Sequence, residues 1–508
     1  MNSTRDDATP DDATPDDART IAADEQTLHE MGYVQELARR MHGFSNFAMS
    51  LSIICILAGG VTSFHVGFGS VGGAAIGLGW PLSCAFSLVV AVAMAQVASA
   101  FPTAGGLYHW ASVLGGKGWG WATAWFNLAG LVTVLAAINV GTFNFVAGSF
   151  WPSLADDPAA QILAVVLISA SQAAINHRGI RLTTRLTDFS GYWILGVSSA
   201  MTIALLATAS TLDFDRLWSF DNFSGLPAGN PVWPATDSMT WLFLLGLLLP
   251  AYTITGFDAS AHTAEETIGA AYHVPRGIVR SVLVSGVFGW LMLIAILLAM
   301  PNLHDGAQQG DQVFFWTIRS ALPPASASVL LGAIAVAQYL CGLATVTSAS
   351  RMAFAFARDG GLPWSDAVRQ VSPRFRTPAV AIWLVAVAAV VFTVYTPMYL
   401  TITAVCTIFL YLSYVLPTAL GFFAYGRSWT RLGQWHVGRW YRPAAVVSVL
   451  GCGGLIVIGV QPPNEKGLYV VGSAVAIMLV WWWLYARSRF AGPPETVFTM
   501  SAEAARHD

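Results

Sequence analysis

The chain alternates long apolar runs with short polar connections, and the lengths of the runs give the first structural reading. About 20 residues are needed to cross the hydrocarbon of a bilayer as a helix. By that measure the runs near 44–69, 73–101, 118–148, 159–176, 187–210, 238–264, 277–301, 325–357, 377–396, 398–424, 443–461 and 467–486 predict twelve transmembrane helices. Two of them are interrupted. In the sixth, the apolar WLFLLGLLLPAY is followed at 253–267 by TITGFDASAHTAEET, which places Asp258 near membrane depth. A carboxylate there is costly without a partner or water, and Gly256 weakens the helix directly before it. In the first, SLSIICILAGGVTSFHVGFG carries Gly59, Gly60, Gly67 and Gly69. Unwound backbone at membrane depth is tolerated only where it faces protein or a cavity, so both breaks are expected to line a polar site.

If helices 1 to 5 and 6 to 10 are equivalent units, the odd number of spans in each forces opposite orientations. The expected fold is therefore an all-α membrane protein with a five-plus-five inverted repeat, broken in helices 1 and 6, plus two carboxy-terminal helices. The organisation read from the sequence is a disordered acidic tail at 1–27 and a cytoplasmic amphipathic segment at 28–43. The repeats follow at 44–210 and 238–424, then helices 11 and 12 at 443–486 and a cytoplasmic tail at 487–508. The disorder expected of the tail follows from the repeated DDATP, which holds no apolar residue larger than alanine. From Asp24 to Arg40 the spacing of Leu28, Met31, Val34, Leu37 and Met41 predicts a short helix lying on the membrane surface.

Charge placement supports the count. With both termini cytoplasmic, all of the 25 Lys and Arg except Arg216, Arg319 and Lys466 fall in inner segments, and a miscount by one span would invert every later loop. Composition agrees, with 55% hydrophobic and 10% charged residues and a mean hydropathy of +0.58, outside the range of soluble domains. The opening residues lack the basic and apolar pattern of a secretory signal. Cys55, Cys84, Cys341, Cys406 and Cys452 sit in apolar runs without paired spacing, so neither a disulfide nor a metal site is expected. There is no phosphate-binding G-x-x-x-x-G-K-[ST] loop and no H-E-x-x-H, which argues against an ATP-driven pump and against a membrane enzyme.

Three stretches carry a family resemblance: MGYVQELARRMHGFSNFAMSLSIICILAGG at 31–60, AQVASAFPTAGGLYHWASVLGGKGWGWATAWFNL at 95–128, and SRMAFAFARDGGLP at 350–363, with GFDASAH at 256–262 and the glutamates after it. The chain resembles the amino acid-polyamine-organocation superfamily, in the amino acid/choline branch that includes 4-aminobutyrate and choline permeases. The resemblance implies a twelve-helix fold and uptake of small amino acids or amines.

Candidate site residues follow from the breaks and the resemblance together. In helix 1, Ile54, Cys55, Ala58, Gly59 and Gly60 form the stretch whose free N–H groups would face a substrate carboxylate, although Gly59 and Gly60 would equally permit close helix packing. In helix 6, Gly256 would line the cavity and Phe257 would close over the substrate as an aromatic lid. Asp258 either receives a substrate ammonium or holds the broken helix through its free amides. His262 is read as a packed or hydrogen-bonded side chain and not as a proton carrier. Glu265 and Glu266 are either a solvated helix end or an inner gate, one of them pairing with Arg351 or Arg358. Arg358 and Asp359, before the stop signal GGLP, are read as a solvated or loop-anchoring pair.

Asn127, Tyr411 and Tyr414 are candidates for orienting a polar ligand. Thr345, Thr347 and Ser348 would coordinate sodium, as the fold implies for sodium-coupled relatives, or would bond their own backbone. The lysine that replaces the cation in other relatives has no counterpart, since 188–200 holds no basic residue. The expected activity is thus secondary transport of a small amino acid or amine such as 4-aminobutyrate, by alternating access across the plasma (inner) membrane. Choline or polyamine uptake, amino acid exchange and substrate sensing without transport are the alternatives. No cofactor is expected beyond a coupling Na+ or H+, and no nucleic acid or obligate protein partner; the partners are the substrate and the bilayer.

Overall fold

The computed structural model describes residues 14–155, 157–209, 211–396, 399–462 and 464–494. Among these residues every regular segment is helical. Ten helices are long and apolar enough to cross a bilayer: Gly43–Thr62, Ala75–Ala100, Lys117–Phe150, Pro158–His177, Ile180–Thr208, Ala270–Ala299, Pro324–Arg358, Tyr399–Ala424, Gly438–Gly459 and Glu465–Arg489. The shorter apolar helices Met239–Thr253 and Ala379–Tyr395 complete the set of twelve spans. The sixth is short because it stops at a break, as the sequence predicts.

The two five-helix units pack by the same rules. The third span lies against the tenth as the eighth lies against the fifth, and the first lies against the fifth as the sixth lies against the tenth. The second and seventh, third and eighth, and fourth and ninth also meet as equivalent pairs. The third and eighth are the longest, with 34 and 35 residues. Small residues let them approach closely: a side chain at Gly342 on the eighth would meet Asn139 Oδ1 on the third at 2.8 Å. Side chains such as Leu283, Leu291 and Val391 on the outer faces of the seventh and ninth spans are exposed and suited to lipid.

The amino-terminal segment departs from the expectation of disorder to residue 27. Residues 1–13 lie outside the described residues, but Pro15–Glu30 is a helix. Thr14 and Asp17 form a reciprocal capping box at its start and Pro15 occupies its first turn, so the DDATP repeat itself supplies the helix signal. The surface helix expected over 24–40 also needs correction. The helix ends at Glu30, and residues 31–42 run as irregular backbone beneath the protein, with a single bridge between Met41 and Thr267. Leu28, Met31, Leu37 and Met41 are buried against the protein and not against lipid, while Val34 is 70% exposed. At the other terminus, residues 495–508 of the expected tail lie outside the described residues.

Candidate functional site

The first span is helical over Gly43–Ile54, unwinds at 55–58 and resumes at Gly59. Cys55 adopts φ of 23°, a conformation rare for any residue with a side chain. The N–H groups of Ile56 and Leu57 make no hydrogen bond to the described residues, whereas those of Ala58 and Gly59 both reach the Cys55 carbonyl. The sixth span is helical to Thr253, unwinds through 254–258 and resumes over Ala259–His262. The carbonyls of Ile254 and Thr255 accept no backbone hydrogen bond from the described residues.

The two breaks lie side by side and antiparallel. A side chain at Gly59 would meet Thr253 at 3.0 Å, Gly60 packs towards Thr253 and Trp80, and a side chain at Gly256 would meet Ile53 at 2.3 Å. Gly256 also has φ of 83°, so both its conformation and its neighbour require glycine. Further along, the Ser50 hydroxyl donates to the Phe257 carbonyl at 2.8 Å, and Asn46 Nδ2 donates to the Ser260 carbonyl at 2.8 Å and to the hydroxyls of Thr263 and Thr267. Asn46, Ser50, Ser260, Thr263 and Thr267 form a polar stripe at helical spacing, a signal that was present in the sequence and passed over.

Asp258 is fully buried at the break. Tyr414 donates its hydroxyl to Oδ1 at 2.8 Å, Asn127 Nδ2 donates to Oδ2 at 2.9 Å, and His262 Nε2 lies 3.2 Å from Oδ2. The carboxylate therefore joins the third, sixth and tenth spans through side chains, and not through the free amides of its own helix. The Gly256 N–H also reaches the Tyr414 oxygen, at 3.0 Å. Asn127 keeps one buried acceptor, Oδ1, without a partner among the described residues. Phe257 is buried with its ring 4.8 Å from that of Tyr414. The Tyr411 hydroxyl donates to the Ala251 carbonyl at 3.1 Å, holding the end of the outer half-helix.

On the arginine-rich side, Glu265 and Glu266 are buried, not solvated. Arg351 makes a bidentate pair with Glu266 at 2.9 and 3.0 Å, and Arg358 makes another with Glu265 at 3.0 and 2.9 Å. The expectation of a solvated Arg358–Asp359 pair is corrected in the same place: Asp359 accepts from Tyr33 at 2.8 Å and from Tyr108 at 2.7 Å, and the Arg358 guanidinium lies 4.0 Å from the centre of the Tyr33 ring. The amino-terminal arm completes the closure. Arg39 donates to the carbonyls of Ala264 and Thr267 and pairs with Asp24, whose carboxyl burial holds above its usual range. Gln35 donates to the Glu265 carbonyl at 2.8 Å. Nothing in the spacing of 24–41 indicated these contacts, because, the Arg39–Asp24 pair apart, they are made from irregular backbone to residues more than two hundred positions away.

On the opposite side, Thr62 and Tyr399 share a hydrogen bond of 2.6 Å, and the Tyr252 and Tyr399 rings meet edge to face. A cavity of ≈ 50 Å³ lies there, lined in part by Ser63, Tyr252, Thr407 and Tyr411. Of the cation candidates, the Thr345 hydroxyl donates to its own helix at the Cys341 carbonyl, Thr347 donates to Asn176 Oδ1, and Ser348 is buried with no partner among the described residues.

Comparison with known proteins places this architecture. The model of the amino acid permease family matches residues 42–486. The chain belongs to that family. This permease is 31% identical to amino-acid permease BAT1 of Arabidopsis thaliana over 93% of its own chain and 96% of the relative, and 32% identical to the BAT1 homolog of Oryza sativa subsp. japonica over 92% and 94%. It is 28% identical to the GABA-specific permease of Saccharomyces cerevisiae over 72% of its own chain and 65% of that protein. The permease is thus an amino acid transporter of the amino acid-polyamine-organocation superfamily and a multi-span membrane protein.

Proposed function

We propose that the permease imports a small zwitterionic amino acid, 4-aminobutyrate being the leading candidate, by alternating access at the paired breaks. The observation that carries this reading is the pair of antiparallel unwound segments with opposite unmet hydrogen-bonding capacity. Ile56 and Leu57 offer N–H donors suited to a carboxylate, and Asn127 Oδ1 with the carbonyls of Ile254 and Thr255 offers acceptors suited to an ammonium. Asp258 already has three partners, so the ammonium is assigned to its neighbours and not to its carboxylate. Choline has no carboxylate to use the donors of the first break. The name of the yeast relative supports 4-aminobutyrate among the amino acids.

In this reading the arginine-rich face is cytoplasmic, both termini lie there, and the protein resides in the plasma membrane. The Glu266–Arg351 and Glu265–Arg358 pairs form the inner gate, and Thr62 with Tyr399 and Tyr252 forms part of the outer one. Phe257 turns with the break between the two. Purified protein reconstituted in liposomes should take up or exchange labelled 4-aminobutyrate or another amino acid saturably, with choline failing to compete. Saturable uptake of choline alone, or no exchange of any amino acid, would overturn the assignment.

A further inference from the structure

His262 is fully buried one turn beyond Asp258, and each of its ring nitrogens faces an oxygen. Nδ1 lies 3.2 Å from the Ala104 carbonyl and Nε2 lies 3.2 Å from Asp258 Oδ2. A carbonyl only accepts, so the first contact requires a hydrogen on Nδ1. The second requires another, on Nε2 or on Oδ2, because two lone pairs would otherwise face each other. On whichever atom that hydrogen rests, the pair holds one proton more than a neutral imidazole beside an ionised carboxylate, and it belongs to the pair as a unit. The extra proton also brings the pair to zero net charge at membrane depth, where a lone carboxylate is costly.

The contact to Ala104 links this proton to the closure of the arginine-rich face. Ala104 donates its own N–H to Glu265 Oε1 at 3.1 Å, and that carboxylate is the one clamped by Arg358. Gly106, at φ of 48°, brings the same loop so close that a side chain there would meet the His262 ring at 3.2 Å. The titratable groups around His262 are Asp258 and Tyr414 at the break, Glu265 and Arg358 behind Ala104, and Tyr108 and His109 on the helix after the loop.

We propose that the His262–Asp258 pair binds a coupling proton and that Ala104 ties its release to opening of the arginine-rich face. The proton enters from water on the opposite face while the loop is seated. When Glu265 and Arg358 part, the loop is freed, Nδ1 loses its acceptor, and the proton passes to water on the arginine-rich side. This assignment rests on the transport reading above and names its coupling ion. Sodium finds less to bind, since of the three candidate hydroxyls Thr345 and Thr347 are committed to other partners and that of Ser348 alone is left among the described residues.

The test uses full-length protein in liposomes with a pH-sensitive dye in the lumen and labelled 4-aminobutyrate or whichever amino acid exchanges. In wild type, adding the amino acid outside should acidify the lumen, with or without sodium. His262→Gln should lose this acidification and the uphill uptake driven by an imposed proton gradient, by about tenfold or more beyond any loss of exchange. Substrate-linked acidification that persists in His262→Gln would overturn the proposal. So would wild-type uptake that is driven by sodium without acidification, a measurement that decides the question even where the variant does not fold. Absence of amino acid exchange by wild type would instead refute the transport reading, and this inference with it.

Discussion

The closure of the arginine-rich face can be tested by removing one side of its most buried pair. Arg351 and Glu266 have no solvent exposure, and their two contacts of 2.9 and 3.0 Å satisfy both carboxylate oxygens. Arg351→Ala leaves Glu266 buried and unpaired in the closed protein, a loss of about 3–5 kcal/mol. Once the face opens, both groups meet water and the cost largely vanishes, so the whole penalty acts on the closed-to-open equilibrium. At tenfold per about 1.4 kcal/mol, the open population should rise between about a hundredfold and a few thousandfold, until it saturates.

Native Cys341 reports that opening. It is buried on the eighth span with its sulfur 3.4 Å from the Ile53 carbonyl, so it is uncovered when the inner half of the first span moves away. With the other four cysteines replaced by alanine, its modification by a membrane-impermeant thiol reagent should accelerate by that factor in Arg351→Ala. Pairing Arg351→Met with Glu266→Leu removes both charges and should return the rate towards wild type. A folded Arg351→Ala protein labelled within twofold of wild type would refute the reasoning that this pair holds the face shut.

Two further outcomes follow from the same geometry. Gly256→Ala should lower the thermal stability, through a left-handed backbone penalty of about 1–2 kcal/mol and overpacking against Ile53 of about 1–3 kcal/mol. Adding Ile53→Ala should recover the second part only, and full recovery would mean that the positive φ carries no cost. Tyr33→Phe removes one of the two hydroxyls on Asp359, a charge-assisted bond worth about 1.5–3 kcal/mol. It should speed Cys341 labelling by roughly tenfold to a hundredfold, and an unchanged rate would exclude the amino-terminal arm from the closure.

The sequence by itself determined the membrane architecture, because crossing a bilayer imposes a length and an apolarity that each span must meet locally. The spans, the asymmetric placement of arginine and the two glycine-marked interruptions are all properties of contiguous residues, and they led to the breaks at 55–58 and 254–258 without reference to any partner. Tertiary structure decided what the polar residues at those breaks do. Asp258 had two readings in the sequence, and it took Asn127 and Tyr414 from distant spans to show its carboxylate already engaged. His262 read as an ordinary buried side chain until the Ala104 carbonyl was found at its second nitrogen. The acidic repeat of the amino-terminal arm was read as unstructured because it lacks large apolar residues, and the segment after it as a surface helix because its apolar residues were matched to lipid, whereas their true cover is the protein's own arginine-rich face. Apolar periodicity records that a side chain is sheltered, and only the assembled helices record what shelters it. For ionisable groups that difference separates a solvated charge from a gate.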